Sequence, residues 1–147
     1  MVGDGKTSLS RALAICKELN IPAFVVFDSD AHQKKENDIK NNRRDNSCIL
    51  RLCGLNDFDP LPFDNLWHSQ GVMWKTKIAD VVMEDFGKDV WEKAENNARN
   101  KMGFTENVRR KNRLLIAATL EELSSEEKQS AILETLCDKL LGFAKKS

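Results

Sequence analysis

The sequence predicts an α/β chain with a parallel sheet in its first half and a helical C-terminal half. Three observations carry this. IPAFVVFD, residues 21–28, contains the unbroken apolar run Phe24 to Phe27, rich in β-branched and aromatic side chains. That is the composition of a strand covered on both faces. An amphipathic segment leads straight into it, because Leu9, Ala12, Leu13, Cys16 and Leu19 recur at helical spacing. A helix feeding such a strand is half of a βαβ unit. From Thr76 onward the chain offers four consecutive helix-like segments. The expected division is residues 1–75 as the α/β core and residues 76–147 as a helical region packed on it.

The first helix is expected over residues 8–19, capped by Thr7 or Ser8 and ended at Asn20. The glycine-lysine turn before it, GDGKTS at residues 3–8, invites comparison with an ATP-binding phosphate loop. That loop needs a glycine five positions before Gly5-Lys6-Thr7, and the count falls before Met1. The turn is therefore read as a helix start, and the chain is expected to begin within a fold. Residues 31–47 are polar and basic-leaning and read as a mobile loop. A short helix follows, with Ile49, Leu50, Leu52 and Cys53 as its apolar face and Gly54 as its stop. LWHSQGVMW, residues 66–74, reads as a short hairpin. The helical half begins with TKIADVVMEDF. Asp89 to Glu92 fits a capping box, Thr105 a cap for the helix carrying VRRKNRLLIAATLEEL, and Ser124 to Glu127 a second box.

Bulk properties exclude several classes. The 147 residues suffice for one compact domain, and 23 basic against 23 acidic side chains give no global charge signature of a nucleic-acid binder. No run approaches the roughly 18 apolar residues of a membrane span, and no signal-peptide pattern opens the chain. Cys16, Cys48, Cys53 and Cys137 lack metal-ligand spacing and have apolar neighbours. They read as buried, reduced thiols of a cytoplasmic protein.

Chemistry concentrates at FVVFDSDAH. Asp28 and Asp30 stand at the carboxyl end of the expected strand, the edge where open α/β sheets bind ligands. Strand alternation would put both on one side, with Ser29 opposite. Two such carboxylates repel unless a cation or strong donors lie between them. Hard cations such as Mg²⁺ take oxygen ligands of this type. The competing structural account is a pair of turn-forming aspartates that end the strand and cap the next segment. Haloacid-dehalogenase-like phosphatases also carry a DxD, but His32 departs from their pattern. Nucleotide-sugar glycosyltransferases carry one as well, and they would need further strands where this chain reads as helical. Lys34, Lys35, Lys40, Arg43 and Arg44 form one basic cluster, and Arg109, Arg110, Lys111 and Arg113 a second. Each can track a phosphate backbone or simply be a solvated face.

One family matches the order of these features. GDGK, a helix, then NIPAFVVFDSDA resembles the Toprim domain of the OLD-family nucleases (overcoming lysogenization defect). RRDNSCILRLCGL at residues 43–55, the stretch from Met73 through IADVVMEDFG, and VRRKNRLLIAA at residues 108–118 resemble the segments that follow in that family. The resemblance implies a partial, Rossmann-like Toprim parallel sheet and a metal-dependent DNA endonuclease that hydrolyses phosphodiesters. It implies Asp28 and Asp30 as ligands of Mg²⁺ or Mn²⁺, and Lys111 as the catalytic cation approaching the scissile phosphate. Lys6 would lie at the same sheet edge, beside a helix N-terminus that favours anions. The implied partners are DNA and an ABC-type ATPase in cis or in trans, with no membrane, and a homo-oligomer is compatible. The family's metal-binding glutamate on an earlier strand has no counterpart, since no glutamate precedes Glu18. The chain is therefore expected to carry half an active site. The alternatives are a non-catalytic Toprim-like module for assembly or DNA binding, or a glycosyltransferase-like fragment.

Overall fold

The computed structural model describes residues 5–146. Gly3 and Asp4 of the glycine-lysine turn lie outside the described residues. The described elements are α1 (Lys6–Glu18), β1 (Val25–Asp28), α2 (Glu36–Leu52), β2 (Leu66–His68), β3 (Gly71–Trp74), α3 (Ile78–Phe86), α4 (Lys88–Met102), α5 (Arg113–Ser125) and α6 (Ala131–Ala144). The α/β class holds. The chain divides into two compact units, Met1–Ile78 with Leu136–Ser147, and Ala79–Thr135.

In the first unit the sheet is mixed, in the order β1-β3-β2. β1 runs parallel to β3, with Val25 opposite Gly71 and Asp28 opposite Trp74, and β2 pairs antiparallel to β3 as the expected hairpin. The expected all-parallel sheet is thus corrected. The strand covered on both faces is corrected too, because Val25 and Phe27 are buried while Val26 between them is 38% exposed. The four-residue strand is half-buried, and its apolar run reflects β-propensity as much as burial.

α1 starts after Gly5, whose φ of 89° suits a residue without a Cβ, so neither Thr7 nor Ser8 is the cap. Its end is as the sequence suggests. Asn20 takes φ 52°, Ile21 N–H donates to the Cys16 carbonyl at 2.8 Å and Asn20 N–H to that of Lys17 at 3.2 Å. This left-handed stop satisfies the last carbonyls, and Pro22 cannot continue the helix. Gly54, at φ 73°, closes α2 in the same way, with Leu55 N–H donating to the Leu50 carbonyl at 2.8 Å.

α2 is the main departure from expectation, because a 17-residue helix replaces a mobile loop and a short helix. Its inward face runs Asn42, Asn46, Ile49, Leu50, Cys53, so helical spacing is kept while the first two positions are amides. Asn46 and Ile49 are fully buried. Apolar periodicity does not register a face that turns inward with asparagine. Glu36 and Asp38 in the first turn and Arg51 in the last complement the helix dipole. The core of this unit joins Leu13 of α1, Val25 and Phe27 of β1, Ile49 and Leu50 of α2, and Met73 of β3. Trp67 and Trp74 meet edge to face at 5.1 Å, as do Phe24 and Phe143 at 5.5 Å. The cysteines are less buried than expected. Cys48 and Cys137 are exposed, and Cys16 and Cys53 half-buried. Burial pushes the Cys53 thiol above its ordinary range, and the charge of Lys17 partly offsets that.

In the second unit α4 and α5 pack together. Ala94 and Ala98, buried one turn apart, allow α5 to approach with Leu115, Thr119 and Leu123. The caps differ from those expected. α4 begins after Gly87 rather than on an Asp89–Glu92 box. α5 begins seven residues later than a Thr105 cap would place it. Asn112 caps it, with Oδ1 accepting from the amides of Leu114 at 2.9 Å and Leu115 at 3.2 Å. Ser124 and Ser125 are the last residues of α5 and Glu126 is its C-cap, so the second expected box lies at a helix end and not at a helix start. Ser130 opens α6 instead, accepting from Leu133 N–H at 3.1 Å and donating to Asp85 Oδ2 at 2.6 Å.

Candidate site at the carboxyl end of strand β1

The segment Asp28-Ser29-Asp30 is held mainly through Ser29, a residue to which the sequence assigned no role. Ser29 is fully buried. Its amide donates to the Trp74 carbonyl at 2.7 Å, extending the β1–β3 ladder by one residue. Its hydroxyl donates to the Lys75 carbonyl at 2.7 Å and accepts from Ala31 N–H at 3.2 Å. Its carbonyl accepts from Asn46 Nδ2 at 2.8 Å and from Lys6 Nζ at 3.2 Å. Every hydrogen-bonding group of this buried residue is therefore used, as burial requires.

The two aspartates part company. Asp28 ends the strand, and its Oδ1 accepts from the amide of Ile78, the first residue of α3, at 3.0 Å. Asp30 adopts φ 57°, a left-handed conformation that aspartate tolerates better than most residues. That reversal stops strand alternation before it reaches Asp30. Its Oδ2 lies 2.9 Å from Lys6 Nζ, with the side chains 26% and 15% exposed. Lys6 also donates to Asn42 Oδ1 at 3.0 Å. Strand ending and helix capping, the structural account of these aspartates, thus fits the bond from the Ile78 amide to Asp28. Asp30 instead faces a cation supplied by the chain itself.

Beside Asp30 lies a polar hollow of about 310 Å³, lined by Asp30, Gln33, Asp38, Asn41 and Asn42. Its walls offer carboxylate and amide oxygens, the donors that a hard cation or a hydroxyl-rich ligand accepts. Among the described residues no group of three or more His, Cys, Asp or Glu side chains is placed to hold an ion. A metal here would have one or two carboxylates, neutral oxygens, water and substrate phosphate as ligands. That is a common arrangement for Mg²⁺.

Asn46 carries the site on α2. Its amide nitrogen bridges the Ser29 and Pro60 carbonyls at 2.8 and 2.7 Å, tying the turn to the segment between α2 and β2. Asn46→Ala is expected to cost about 2 kcal/mol, because buried acceptors lose their donor. It should loosen the Ser29 turn while leaving the second unit intact. Urea denaturation combined with amide exchange at Ser29 checks this, and unchanged protection there would refute it.

Lys111 sits in the other unit, exposed, in the turn Arg109–Asn112 that precedes α5 rather than on a helix. Its neighbour Arg110 is already committed, with Nε 3.3 Å from Glu95 Oε2 and a terminal nitrogen 3.5 Å from Glu92. The first basic cluster is exposed along the segment that follows the turn. There Arg44 pairs with Asp45 at 2.9 Å, and Arg43 stands 3.9 Å from Asp59. Such surface pairs contribute little and yield readily to another anion.

Comparison with protein-family models, with curated proteins and with solved structures found no match to this chain. No helix among the described residues is long and apolar enough to cross a membrane.

Proposed function

We propose that this chain is the DxD-bearing part of a metal-dependent DNA endonuclease of the Toprim kind, which hydrolyses phosphodiesters and works with an ABC-type ATPase in cis or in trans. The observation that carries the proposal is the Asp28-Ser29-Asp30 turn. It sits at the carboxyl end of a strand paired in parallel, is fixed by a fully buried serine and opens onto an oxygen-lined hollow. Catalytic carboxylates need such fixed placement.

The residues have distinct tasks in this reading. Asp30, with Asn42 and the Ser29 carbonyl, would hold Mg²⁺ or Mn²⁺, and Asp28 is the second carboxylate. The ion, when bound, stabilises charge that develops on phosphate oxygens. Lys6 offers its ammonium to a phosphate at the same edge. Lys34, Lys35, Lys40, Arg43 and Arg44 attract the DNA backbone. Lys111 is the candidate for offsetting charge at the scissile phosphate.

Nicking of supercoiled plasmid in Mg²⁺ or Mn²⁺ tests the proposal, with wild type compared against Asp28→Ala/Asp30→Ala. Metal-dependent nicking that falls at least about a hundredfold in the variant is expected, the scale of losing transition-state charge stabilisation. Equal nicking by both proteins, or none by either, overturns the assignment for this chain.

The Lys6–Asp30 pair favours a second reading, a non-catalytic module in which an internal ammonium has taken over from the ion. In that case neither protein nicks, and Lys6→Met destabilises the fold without conferring any affinity for cations.

A further inference from the structure

Lys6 is the first residue of α1, and its side chain returns to the turn after β1. Its ammonium has three protons, and three oxygens receive them. These are Asp30 Oδ2 at 2.9 Å, Asn42 Oδ1 at 3.0 Å and the Ser29 carbonyl at 3.2 Å. One carboxylate, one amide oxygen and one main-chain carbonyl converging on a positive centre form the donor set that hard cations take. The cage is firm on one side, because Ser29 is buried and fully hydrogen-bonded. It is open on the other, because Asp30 and Asn42 also line the 310 Å³ hollow. That hollow adds Asp38 and room for a partly hydrated ion.

We propose that the Lys6 ammonium is the resident cation of this cage, and that a divalent ion binds Asp30, Asn42 and the Ser29 carbonyl only by displacing it. The inference rests on reading Asp30 as a cation ligand, and not on nuclease chemistry. Two positive centres cannot share three oxygens at such distances, because like charges about 3 Å apart repel strongly even at a high effective dielectric. The state with Lys6 withdrawn is the minor one, so the apparent affinity for an ion falls by its population. A phosphate group arriving at the sheet edge would give Lys6 another partner. Ion entry is thereby coupled to phosphate binding, and the lysine acts as a gate.

The spacing selects the probe. Oxygens now 2.9–3.2 Å from the nitrogen must close to about 2.3–2.6 Å for Ca²⁺ but to about 2.0–2.1 Å for Mg²⁺. Ca²⁺ requires the smaller contraction. Calorimetric titration with Ca²⁺, without nucleic acid, would compare wild type, Lys6→Met, Lys6→Arg and Lys6→Met/Asp30→Asn, with thermal melts in parallel. Lys6→Met is expected to bind Ca²⁺ at least about tenfold more tightly than wild type, because a resident competitor lowers the apparent affinity by the fraction of the time it leaves the cage. Lys6→Arg keeps the charge and should show no gain, and the double variant should lose it. If Lys6→Met folds only with Ca²⁺ added, and the double variant is not rescued, the proposal also stands. Equal Ca²⁺ affinity in wild type and Lys6→Met overturns it. So does a Lys6→Met protein that binds no Ca²⁺, or one that is unfolded with and without it. Gain of Ca²⁺ binding together with absence of plasmid nicking would retain the gate and discard the nuclease.

Discussion

Glu95→Ala is expected to lower the stability of the Ala79–Thr135 unit by about 3 kcal/mol, the low end of the cost of breaking a buried ion pair from one side. Glu95 is 5% exposed on α4. One of its oxygens accepts from Arg99 Nε at 3.1 Å and from an Arg99 terminal nitrogen at 2.8 Å, and the other faces Arg110 Nε at 3.3 Å. Arg99 in turn donates to the carbonyls of Thr105 and Val108, at 3.3 and 3.0 Å. The carboxylate therefore anchors the arginine that shapes the segment between α4 and α5. Removing it leaves Arg99 largely buried without its counter-charge. Amide exchange should rise from Ala94 to Leu115 and remain unchanged in β1 and β3. A variant with wild-type exchange in α4 would show that the network adds nothing. The same change leaves Arg110 with Glu92 as its remaining ion-pair partner, at 3.5 Å.

Gly71→Ala is expected to cost about 3 kcal/mol in the other unit, near the top of the usual range for overpacking. A Cβ on Gly71 would stand 2.5 Å from the Val25 carbonyl oxygen and 2.5 Å from Val25 Cγ1. The methyl can rotate away, but the carbonyl is backbone and belongs to the strand that carries the site. Relief requires β1 and β3 to separate where Val25 N–H meets the Gln70 carbonyl at 3.0 Å. A drop in melting temperature of about 10 °C or more is expected for a unit of this size, with weakened protection at Val25 and Ser29. A melt within about 2 °C of wild type would place the β1–β3 register elsewhere.

Neither Glu95 nor Gly71 stands out in the sequence as a functional residue, although their partners Arg110 and Val25 lie in segments that do. The β1 segment, the hairpin, the helical half and the left-handed stops at Asn20 and Gly54 follow from local chemistry. Apolar runs, β-branching, Gly and Asn leave their marks within a few residues. The helix starts were poorly legible. Gly5 and Gly87 open helices without side-chain caps, whereas Thr105 and Ser124, good capping residues by type, are not used. A residue type permits a cap, but the packing of the next helix decides which candidate serves.

The site was half legible. A DxD after four apolar residues marked the sheet edge without help from the fold, because the carboxyl end of a strand follows from chain direction alone. The partners of those aspartates did not follow. Strand alternation predicted two carboxylates on one side, and the positive φ of Asp30 cancelled it. In sequence Asn42 and Asn46 read as polar loop, because they occupy inward positions of α2 that periodicity reserves for apolar residues. Ser29, which alternation places opposite the two carboxylates, has its amide, hydroxyl and carbonyl all hydrogen-bonded.

The sequence by itself determined that a short β-branched strand ends in two carboxylates, that a glycine-lysine turn precedes it, and that the second half is helical. Only the tertiary structure decided that Lys6 reaches Asp30 across 24 positions of chain, that α2 presents amides to the turn, and that Glu95 binds two arginines. Backbone propensity and chain direction act over a few residues and are written locally. Which oxygen meets which cation depends on segments distant in sequence arriving together, and burial makes a missing partner costly.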